Sequence, residues 1–451
     1  MFQRNLLQSL LLWKIKKNRL PLIIRGARQT GKTTLVKEFS RQFATFIYLN
    51  LENIDDRKLI SPSFTDTIAA LEFRASKKII PASTLVFLDE IQACPDAVSL
   101  LRFFAEQMPD LAVVCAGSLL EVRLSQKTIS FPTGRVEYLF LTPMSFSEYL
   151  LAKGKSSYVE ALSLASLALP LPVHRMIMEE YALYIQIGGM PAAIREFMES
   201  GSRVGVRTLH ANLLQSVLDD VGKYLPKAES KYIEIALDGA PANCAQRLHF
   251  ENFNNSQFKS REMKNAFSML QKAFLVYCTY PVNSAVLPMV QNFRKSPKLF
   301  FYDIGMMNSR VGMPLTFDVS LTDCGMRGAI AEQFVFQELL SASHQLPHIP
   351  VFWTRESGNS NAEIDFCDQW NDFIVPMEVK SGASGTLKSL GMFMSQAPER
   401  VAIRFYNAPP SVQKNVSTGV GKEFTLINLP LYYACNWKPV YEKVVGELKP
   451  L

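Results

Sequence analysis

The sequence predicts a multidomain α/β protein whose amino-terminal part contains a parallel sheet with helices on both faces. Three short apolar runs predict buried parallel strands: Leu20–Ile24, Ser83–Glu90 and Leu111–Ser118. A glycine-containing octapeptide follows the first run and precedes a helical pattern, which is the strand–loop–helix order of a phosphate-binding loop. With 451 residues, 48% of them hydrophobic, the chain is long enough for two or three cores.

The octapeptide that begins at Gly26 reads Gly-Ala-Arg-Gln-Thr-Gly-Lys-Thr and fits the pattern G-x-x-x-x-G-K-[ST]. Its glycines allow consecutive backbone N–H groups to converge on a β-phosphate, while Lys32 reaches the β/γ oxygens and the Thr33 hydroxyl holds Mg²⁺. The expected ligands are therefore ATP and Mg²⁺. The predicted nucleotide-contacting residues of the loop and the first helical turn are Gly26, Ala27, Arg28, Gln29, Thr30, Gly31, Lys32, Thr33 and Thr34.

An acidic pair follows the second apolar run, as a phosphate-binding loop requires. Asp89 is predicted to hold Mg²⁺ through water, and Glu90 is predicted to polarise the attacking water as the catalytic base. The third run ends in Ser118, which is expected either to sense the γ-phosphate or to orient the water. Together these residues predict hydrolysis of the nucleotide and not binding alone.

These motifs resemble an AAA+ ATPase over roughly residues 1–230. The resemblance implies a second strand at Thr45–Glu52, a fifth at Val136–Leu141, and a Walker B strand lying between the P-loop strand and the sensor strand. The segment Thr133-Gly134-Arg135 resembles the "GR" segment of a bacterial and archaeal subgroup, which makes Arg135 either an arginine finger, acting in cis or in trans, or a surface arginine of a turn. The segment Ile187–Pro191 is similar to the helical lid of that subgroup.

The composition limits the classes of protein to which this chain can belong. No apolar run reaches the ~18 residues needed to span a bilayer, and the segment Met1–Lys17 predicts an amphipathic helix beside the P-loop domain. Seven cysteines without a C-x-x-C pair favour a reducing, cytoplasmic location over disulfides or structural zinc. Residues 1–41 carry ten Lys and Arg against Glu38 alone, so much of the net charge of +7 lies beside the predicted nucleotide site.

A second basic excess lies in residues 241–330, with ten basic and five acidic side chains. The segment 260–274 has helical spacing, and the runs 275–280 and 298–303 predict a two-stranded wing. A winged helix would bring Arg261, Lys264 and Lys272 near DNA phosphates. Winged helices also serve as protein-interaction or spacer modules, and that alternative stays open.

The last 125 residues contain a second set of chemical residues. An amphipathic helix at 328–340 bears Glu332, the strand 362–366 contains Asp365, and after a turn the strand 374–381 carries Glu378 and Lys380 on one face. This order resembles the PD-(D/E)xK nucleases. The resemblance implies that Asp365 and Glu378 bind Mg²⁺, that Glu332 adds a ligand directly or through water, and that Lys380 lowers the pKa of the hydrolytic water or stabilises the phosphorane.

Together the two halves resemble a bacterial and archaeal family that joins an AAA+ module to a nuclease-like domain of unknown function. The expected domains are an ATPase core (1–150), a helical lid (151–230), a winged-helix-like region (231–324) and a restriction-endonuclease-like α/β domain (325–451). The leading hypothesis is an ATPase that controls its carboxy-terminal domain, with DNA as a candidate partner and a homo-oligomer as a candidate assembly. The alternative is an ATP-gated interaction switch that cleaves nothing. The polar stretch 407–421 predicts a loop.

Overall fold

The fold is described from a computed structural model, which covers residues 1–117, 132–163, 167–222, 227–314, 326–343, 349–357, 360–382 and 387–448. Two sheets and a two-stranded hairpin organise this α/β structure. In the described part of the chain, no helix combines the length and the apolar character needed to cross a membrane.

The amino-terminal sheet has five parallel strands in the order β2-β3-β4-β1-β5. Its strands are β1 (Leu22–Arg25), β2 (Thr45–Asn50), β3 (Thr84–Asp89), β4 (Ala112–Ala116) and β5 (Glu137–Phe140). The expected position of the Walker B strand is wrong: β4 lies between β3 and β1, so the sensor strand is the one next to the P-loop strand. The strands β1, β3 and β4 are equally apolar. Their order depends on the helical crossovers, and the composition of the strands does not encode it.

Helices cover both faces of this sheet, because successive side chains of its central strands are buried in two different apolar clusters, one on each face. One face packs on α1 and α2, through residues such as Leu10 and Val36, and the other packs on α4 and α5, through residues such as Leu71 and Leu101. A helix, α1, lies where an amphipathic one was expected near the amino terminus; it buries Leu6, Leu10 and Trp13 but exposes the apolar Leu12 and Ile15, so it is not clearly amphipathic. The helices of this part are α1 (Leu6–Ile15), α2 (Lys32–Phe39), α3 (Ile54–Arg57), α4 (Phe64–Ala75) and α5 (Pro95–Gln107).

A run of helices follows the sheet in the region predicted to be a lid, and the name lid is kept below for these helices. These are α6 (Phe146–Ala152), α7 (Ser156–Ser163), α8 (Leu171–Ile187), α9 (Pro191–Ser200), α10 (Arg203–Gly222) and α11 (Lys227–Gly239). The corner between α8 and α9 returns to the end of the P-loop domain, where the backbone N–H of Met144 donates to the carbonyl oxygen of Gly189 at 2.7 Å.

The middle region contains a helix beside an antiparallel hairpin. The helix α12 (Ser260–Lys272) precedes β6 (Val276–Thr279), and β6 pairs with β8 (Lys298–Phe301). The short strand β7 (Pro281–Val282) instead joins the carboxy-terminal sheet, and α13 (Ile304–Arg310) follows the hairpin. The helix and two-stranded wing lie where the sequence placed them, while the winged-helix assignment stays a prediction.

The carboxy-terminal sheet is mixed and has seven strands in the order β13-β14-β12-β11-β10-β9-β7. Its elements are α14 (Arg327–Ser341), β9 (Val351–Ser357), β10 (Ser360–Trp370), β11 (Phe373–Val379), α15 (Lys388–Gln396), β12 (Val401–Tyr406), β13 (Ser411–Ser417), β14 (Glu423–Pro430) and α16 (Trp437–Leu448). The loop expected at 407–421 is wrong in part, because β13 lies there as an edge strand. Its residues alternate between polar and apolar only weakly, so a polar edge strand resembles a loop in sequence.

One buried apolar cluster connects the lid, the middle region and the carboxy-terminal sheet. Phe146 at the start of α6 packs against Tyr184 of α8 and Phe334 of α14, with ring centroids 5.6 and 6.2 Å apart. The helix α14 therefore contacts the element that directly follows the P-loop domain.

Candidate functional site

The loop between β1 and α2 has the backbone that phosphate binding requires. Gly26 has φ +139°, and a Cβ atom there would lie 2.2 Å from the carbonyl oxygen of Leu141. Gly31 has φ +94° and forms the amino-terminal cap of α2. Only glycine fits both positions without strain, so the two glycines of the motif are explained by the geometry of the loop.

Lys32 lies inside this loop and is only 6% exposed. Its ammonium group donates to the carbonyl oxygens of Gly26 and Ala27 at 3.0 and 2.7 Å. The Thr30 hydroxyl donates to the Ala27 carbonyl at 2.9 Å. The loop therefore holds the ammonium group at its own centre, within reach of any anion that binds the N–H groups of the loop.

The structure brings the predicted magnesium ligands together. The Thr33 hydroxyl donates to Asp89 Oδ2 at 2.7 Å, although the two residues are 56 positions apart. Asp89 is 4% exposed, and burial raises the pKa of its carboxyl, while the hydrogen bond from Thr33 opposes that rise. A hydroxyl beside a buried carboxylate is an oxygen donor set that suits Mg²⁺.

Glu90 follows Asp89 with a left-handed backbone (φ +50°), which turns the chain sharply at the strand end. Its Oε2 accepts a hydrogen bond from Gln92 Nε2 at 2.6 Å. Gly117, just after β4, faces the same side chain: a Cβ atom at Gly117 would lie 2.3 Å from Gln92 Oε1. Gln92, which sequence reasoning missed, therefore orients Glu90. The predicted sensor Ser118 lies outside the described residues.

Two further ion pairs surround the loop, and neither was identified in the sequence. Buried Arg4 donates to the carbonyl oxygens of Thr30 and Thr142, both at 2.7 Å, and to Glu148 Oε2 at 3.1 Å. Arg28 of the loop forms an ion pair with Asp220 of α10. The amino-terminal segment and the lid therefore both contact the phosphate-binding loop.

A cavity of about 390 Å³ opens beside the loop, within the size range of small-molecule sites. It is bordered by the amino-terminal segment, by α2 and by the start of α9. Its walls include Phe2, Arg4, Leu35, Pro191 and Arg195. The Arg195 guanidinium lies 5.8 Å from the centroid of the Phe2 ring. Because Gly31 and Thr34 also border the cavity, it adjoins the phosphate-binding loop directly.

Arg135 lies away from this site. It precedes β5, whose residue Glu137 pairs with Leu22 at the beginning of β1, whereas the phosphate-binding loop follows the end of β1. At ~3.3 Å per residue the separation along the strands is about 20 Å, which exceeds the reach of an arginine side chain. Arg135 instead forms an ion pair with Glu106, with Nε and Oε1 3.0 Å apart. Its own P-loop is therefore out of its reach in this structure.

The carboxy-terminal residues also meet. Asp365 Oδ2 accepts the backbone N–H of Val379 at 2.8 Å, and Lys380 Nζ lies 2.5 Å from Glu378 Oε1. Burial, followed by the proximity of Asp365, raises the pKa of Glu378 to about 7 and that of Glu332 to about 8. Glu332, Asp365, Glu378 and Lys380 thus form one electrostatically coupled cluster.

Two members of this cluster were not anticipated. Lys298, from β8, lies 2.9 Å from Glu332 Oε2 and 3.3 Å from Asp365 Oδ1. Its third partner is Glu363 Oε1, at 2.8 Å. Within the described ranges, no three His, Cys, Asp or Glu side chains are grouped so as to hold a metal ion. Glu363 could have been found from the sequence, because it lies two residues before Asp365 and therefore on the same face of β10. Nothing near Lys298 in the sequence indicated its role.

The fold and the loop geometry define the amino-terminal part of this chain as a P-loop domain of the AAA type. Residues 18–150 match the family model described as "AAA domain". Residues 178–316 and 327–431 match two models described as domains of unknown function, DUF8612 and DUF4143. Among curated proteins, none matches the chain.

Three archaeal structures are among those matched, each with low structural similarity. A Walker-type ATPase of Pyrococcus abyssi is 15% identical, with a TM-score of 0.44, over 69% of this chain and 96% of its own. The ORC2 protein of Aeropyrum pernix, solved with ADPNP and ADP, is 14% identical, with a TM-score of 0.31, over 62% and 92%. The ORC1 protein of the same organism, solved with DNA, is 14% identical, with a TM-score of 0.26, over 68% and 91%. The functional proposal therefore depends on the residues of the site.

Proposed function

We propose that this protein binds Mg·ATP at the loop Gly26–Thr33 and hydrolyses it. The observation that carries the proposal is the hydrogen bond between Thr33 and Asp89, because it joins the two predicted magnesium ligands. The magnesium ion, when bound, neutralises phosphate charge. Lys32 would exchange its carbonyl partners for phosphate oxygens, and Glu90, held by Gln92, would accept a proton from the attacking water.

The nucleotide base would occupy the cavity beside the loop, between the Phe2 ring and Arg195. Both belong to parts of the chain that also contact the loop, through Arg4 and through the start of α9. Binding of a nucleotide would therefore order the amino-terminal segment against the lid. Six free cysteines among the described residues agree with a reducing compartment, which supports the cytoplasm as the location.

Two substitutions test the site. Lys32→Ala is expected to abolish tight Mg·ATP binding in a calorimetric titration, because it removes the charge at the centre of the loop. Glu90→Gln is expected to keep binding and to lose turnover by about 10²-fold or more. Lys37→Ala, an exposed lysine of the same helix, is the matched control and should change neither quantity. Normal turnover in both site variants would contradict the proposal.

A second candidate function is metal-dependent cleavage of DNA by the carboxy-terminal domain, controlled by the ATP cycle. It is favoured by the convergence of Asp365 in the middle of β10 with Glu378 and Lys380 at the end of β11, since carboxylates with a neighbouring lysine suit phosphodiester hydrolysis. Exposed Arg261 and Lys264 on α12 would contact phosphates. The competing function is an ATP-gated switch that binds a partner without cleaving it.

Contacts along α14 support control of one site by the other. Glu332 of this helix belongs to the carboxylate cluster, and Glu338, further along the same helix, accepts the backbone N–H of Phe146 at 2.9 Å. The neighbouring Glu148 is the partner of Arg4, which in turn bonds to the phosphate-binding loop. A continuous series of contacts therefore connects both sites, although coupling itself requires measurement.

Nicking of plasmid DNA with Mg²⁺ or Mn²⁺, with and without ATP, tests the cleavage hypothesis. Asp365→Ala and Lys380→Ala should each abolish the activity. If the wild-type protein cleaves nothing, the salt dependence of duplex DNA binding separates the remaining cases, because phosphate neutralisation makes affinity fall steeply with salt. Absence of binding at low salt would favour the switch.

Arg135 would act in trans, on the P-loop of a neighbouring copy, in a homo-oligomer. Its half-exposed position at the sheet edge opposite its own nucleotide site supports this assignment. Arginine fingers supplied by a neighbour contribute about 10³-fold or more to turnover.

A further inference from the structure

The carboxylate cluster of the carboxy-terminal domain already contains a cation, which is the ammonium group of Lys298. This group lies 2.8 to 3.3 Å from oxygens of three acidic residues, Glu332, Glu363 and Asp365. Lys298 is 3% exposed. Burial alone would lower its pKa, but the three carboxylates raise it above its ordinary value. The lysine is therefore charged and belongs to the centre of the cluster.

The backbone holds Lys298 in this position. It is the first residue of β8, and β8 is docked on α14 through Phe301, whose N–H and carbonyl group both bond to the side-chain amide of Gln333, at 2.8 and 2.7 Å. Gln333 is the neighbour of Glu332 along the helix. The β6–β8 hairpin of the middle region thus supplies Lys298 to the carboxy-terminal domain.

The oxygens that contact Lys298 are those that a divalent cation would require. Glu332 and Asp365 are the predicted metal ligands, and a hard dication would bind their oxygens at about 2.0–2.6 Å. An ammonium group that already lies within hydrogen-bonding distance of these oxygens would repel the dication and compete for the same lone pairs. The two cations cannot share these oxygens while the Lys298 ammonium group keeps its place.

The cluster also has unused capacity for a cation. Glu378 is 6% exposed, and its Oε2 has no hydrogen-bond partner within the described part of the chain. Four carboxyl groups, those of Glu332, Glu363, Asp365 and Glu378, face two lysines and Arg247, which pairs with Glu363. Burial, followed by the proximity of Asp365, raises the pKa values of Glu332 and Glu378.

We propose that Lys298 is the resident cation of this cluster and that a divalent metal ion binds there only when the Lys298 ammonium group moves away from the carboxylates. Lys298 therefore acts as an autoinhibitory residue. This inference uses the carboxylate cluster of the proposed second function and does not depend on ATP hydrolysis.

Binding of Mn²⁺ to the nucleotide-free, full-length protein tests the inference, with free Mn²⁺ measured by electron paramagnetic resonance. Lys298→Met is expected to bind one more Mn²⁺ ion per chain than the wild-type protein, which should show no Asp365-dependent site at the same Mn²⁺ concentrations. Adding Asp365→Asn to this variant should remove the gain. Lys295→Met is the matched control, because Lys295 pairs with Glu356 outside the cluster, and it should bind Mn²⁺ as the wild-type protein does.

Thermal unfolding provides a second measurement. Removal of Lys298 leaves buried carboxylates without their cation, so the variant should unfold at a lower temperature in EDTA. Mn²⁺ should raise its unfolding temperature by more than that of the wild-type protein, since a ligand that binds only the folded state stabilises it.

Two results would overturn the inference. One is a folded Lys298→Met variant that binds no additional Mn²⁺ ion. The other is a wild-type Mn²⁺ site that Asp365→Asn removes, because the metal would then bind beside Lys298. The wild-type comparison decides the question even if Lys298→Met fails to fold, since the inference requires that no such site exist there. A variant that binds Mn²⁺ without cutting DNA would exclude the nuclease function and leave the inference intact.

Discussion

Arg4 ties the amino-terminal segment to the phosphate-binding loop, and replacing it with methionine isolates that contact. The guanidinium donates to two buried carbonyl oxygens, those of Thr30 and Thr142, and to the carboxylate of Glu148. Methionine keeps much of the apolar length of the side chain and removes all three hydrogen bonds. The change therefore tests whether these bonds hold the loop in place.

The expected cost follows from the fate of Glu148. Breaking a buried ion pair costs about 3–5 kcal/mol when the remaining charge has no other partner. Glu148 keeps two backbone donors, the N–H groups of Asn5 at 2.6 Å and of Ser145 at 3.0 Å, so the lower end of this range applies. A loss of about 3 kcal/mol in local stability corresponds to a roughly 100-fold larger equilibrium constant for opening of the loop.

Hydrogen–deuterium exchange of the peptide 26–35 measures this opening directly. Arg195→Met is the control, because this arginine borders the same cavity but is exposed and contacts only the Phe2 ring in the described contacts. We expect at most about a fivefold change for the control. If Arg4→Met exchanges no faster than the control, the contacts of Arg4 do not stabilise the loop and the reasoning fails.

Three other predictions concern the site and its surroundings. Gly117→Ala should push Gln92 away from Glu90 and lower turnover about tenfold, with ATP affinity within about threefold; a normal turnover number would show that Gln92 does not orient the base. Arg135→Ala mixed with Lys32→Ala should recover part of the turnover that each lacks alone, because each copy supplies the residue missing from the other, and a mixture as inactive as its components would exclude action in trans. Burial raises the pKa of Asp303 to about 6, so the folded state retains its proton at higher pH than the unfolded state does. The stability that this group contributes is thus present at low pH and falls by about 3 kcal/mol as pH rises from about 4 to about 6. The stability difference between the wild-type protein and Asp303→Asn, measured by urea unfolding at several pH values, should shrink by this amount over that interval. A constant difference would contradict the assignment.

Local signals in the sequence predicted the P-loop strand, its loop and its helix to within two or three residues. The run Leu20–Ile24 corresponds to β1 at Leu22–Arg25, and the helix expected after the octapeptide begins at Lys32, within its last two residues. The order of the sheet was predicted wrongly at β4, because neighbouring parallel strands are equally apolar and their order depends on connections across the sheet. The polar edge strand β13 was missed because its composition is that of a loop.

What the sequence determined by itself was the chemistry that contiguous residues specify: the glycine loop with Lys32 and Thr33, the acidic end of β3, and Glu378 with Lys380 on one strand face. Only the tertiary structure decided which distant residues share a site. Lys298 reads as an ordinary basic residue of a wing strand, and its partners Glu332 and Asp365 lie 34 and 67 positions away. Long-range pairing of this kind depends on how β8 docks on α14. The role of a buried charge depends on the residues packed around it, and no local sequence pattern identifies those residues.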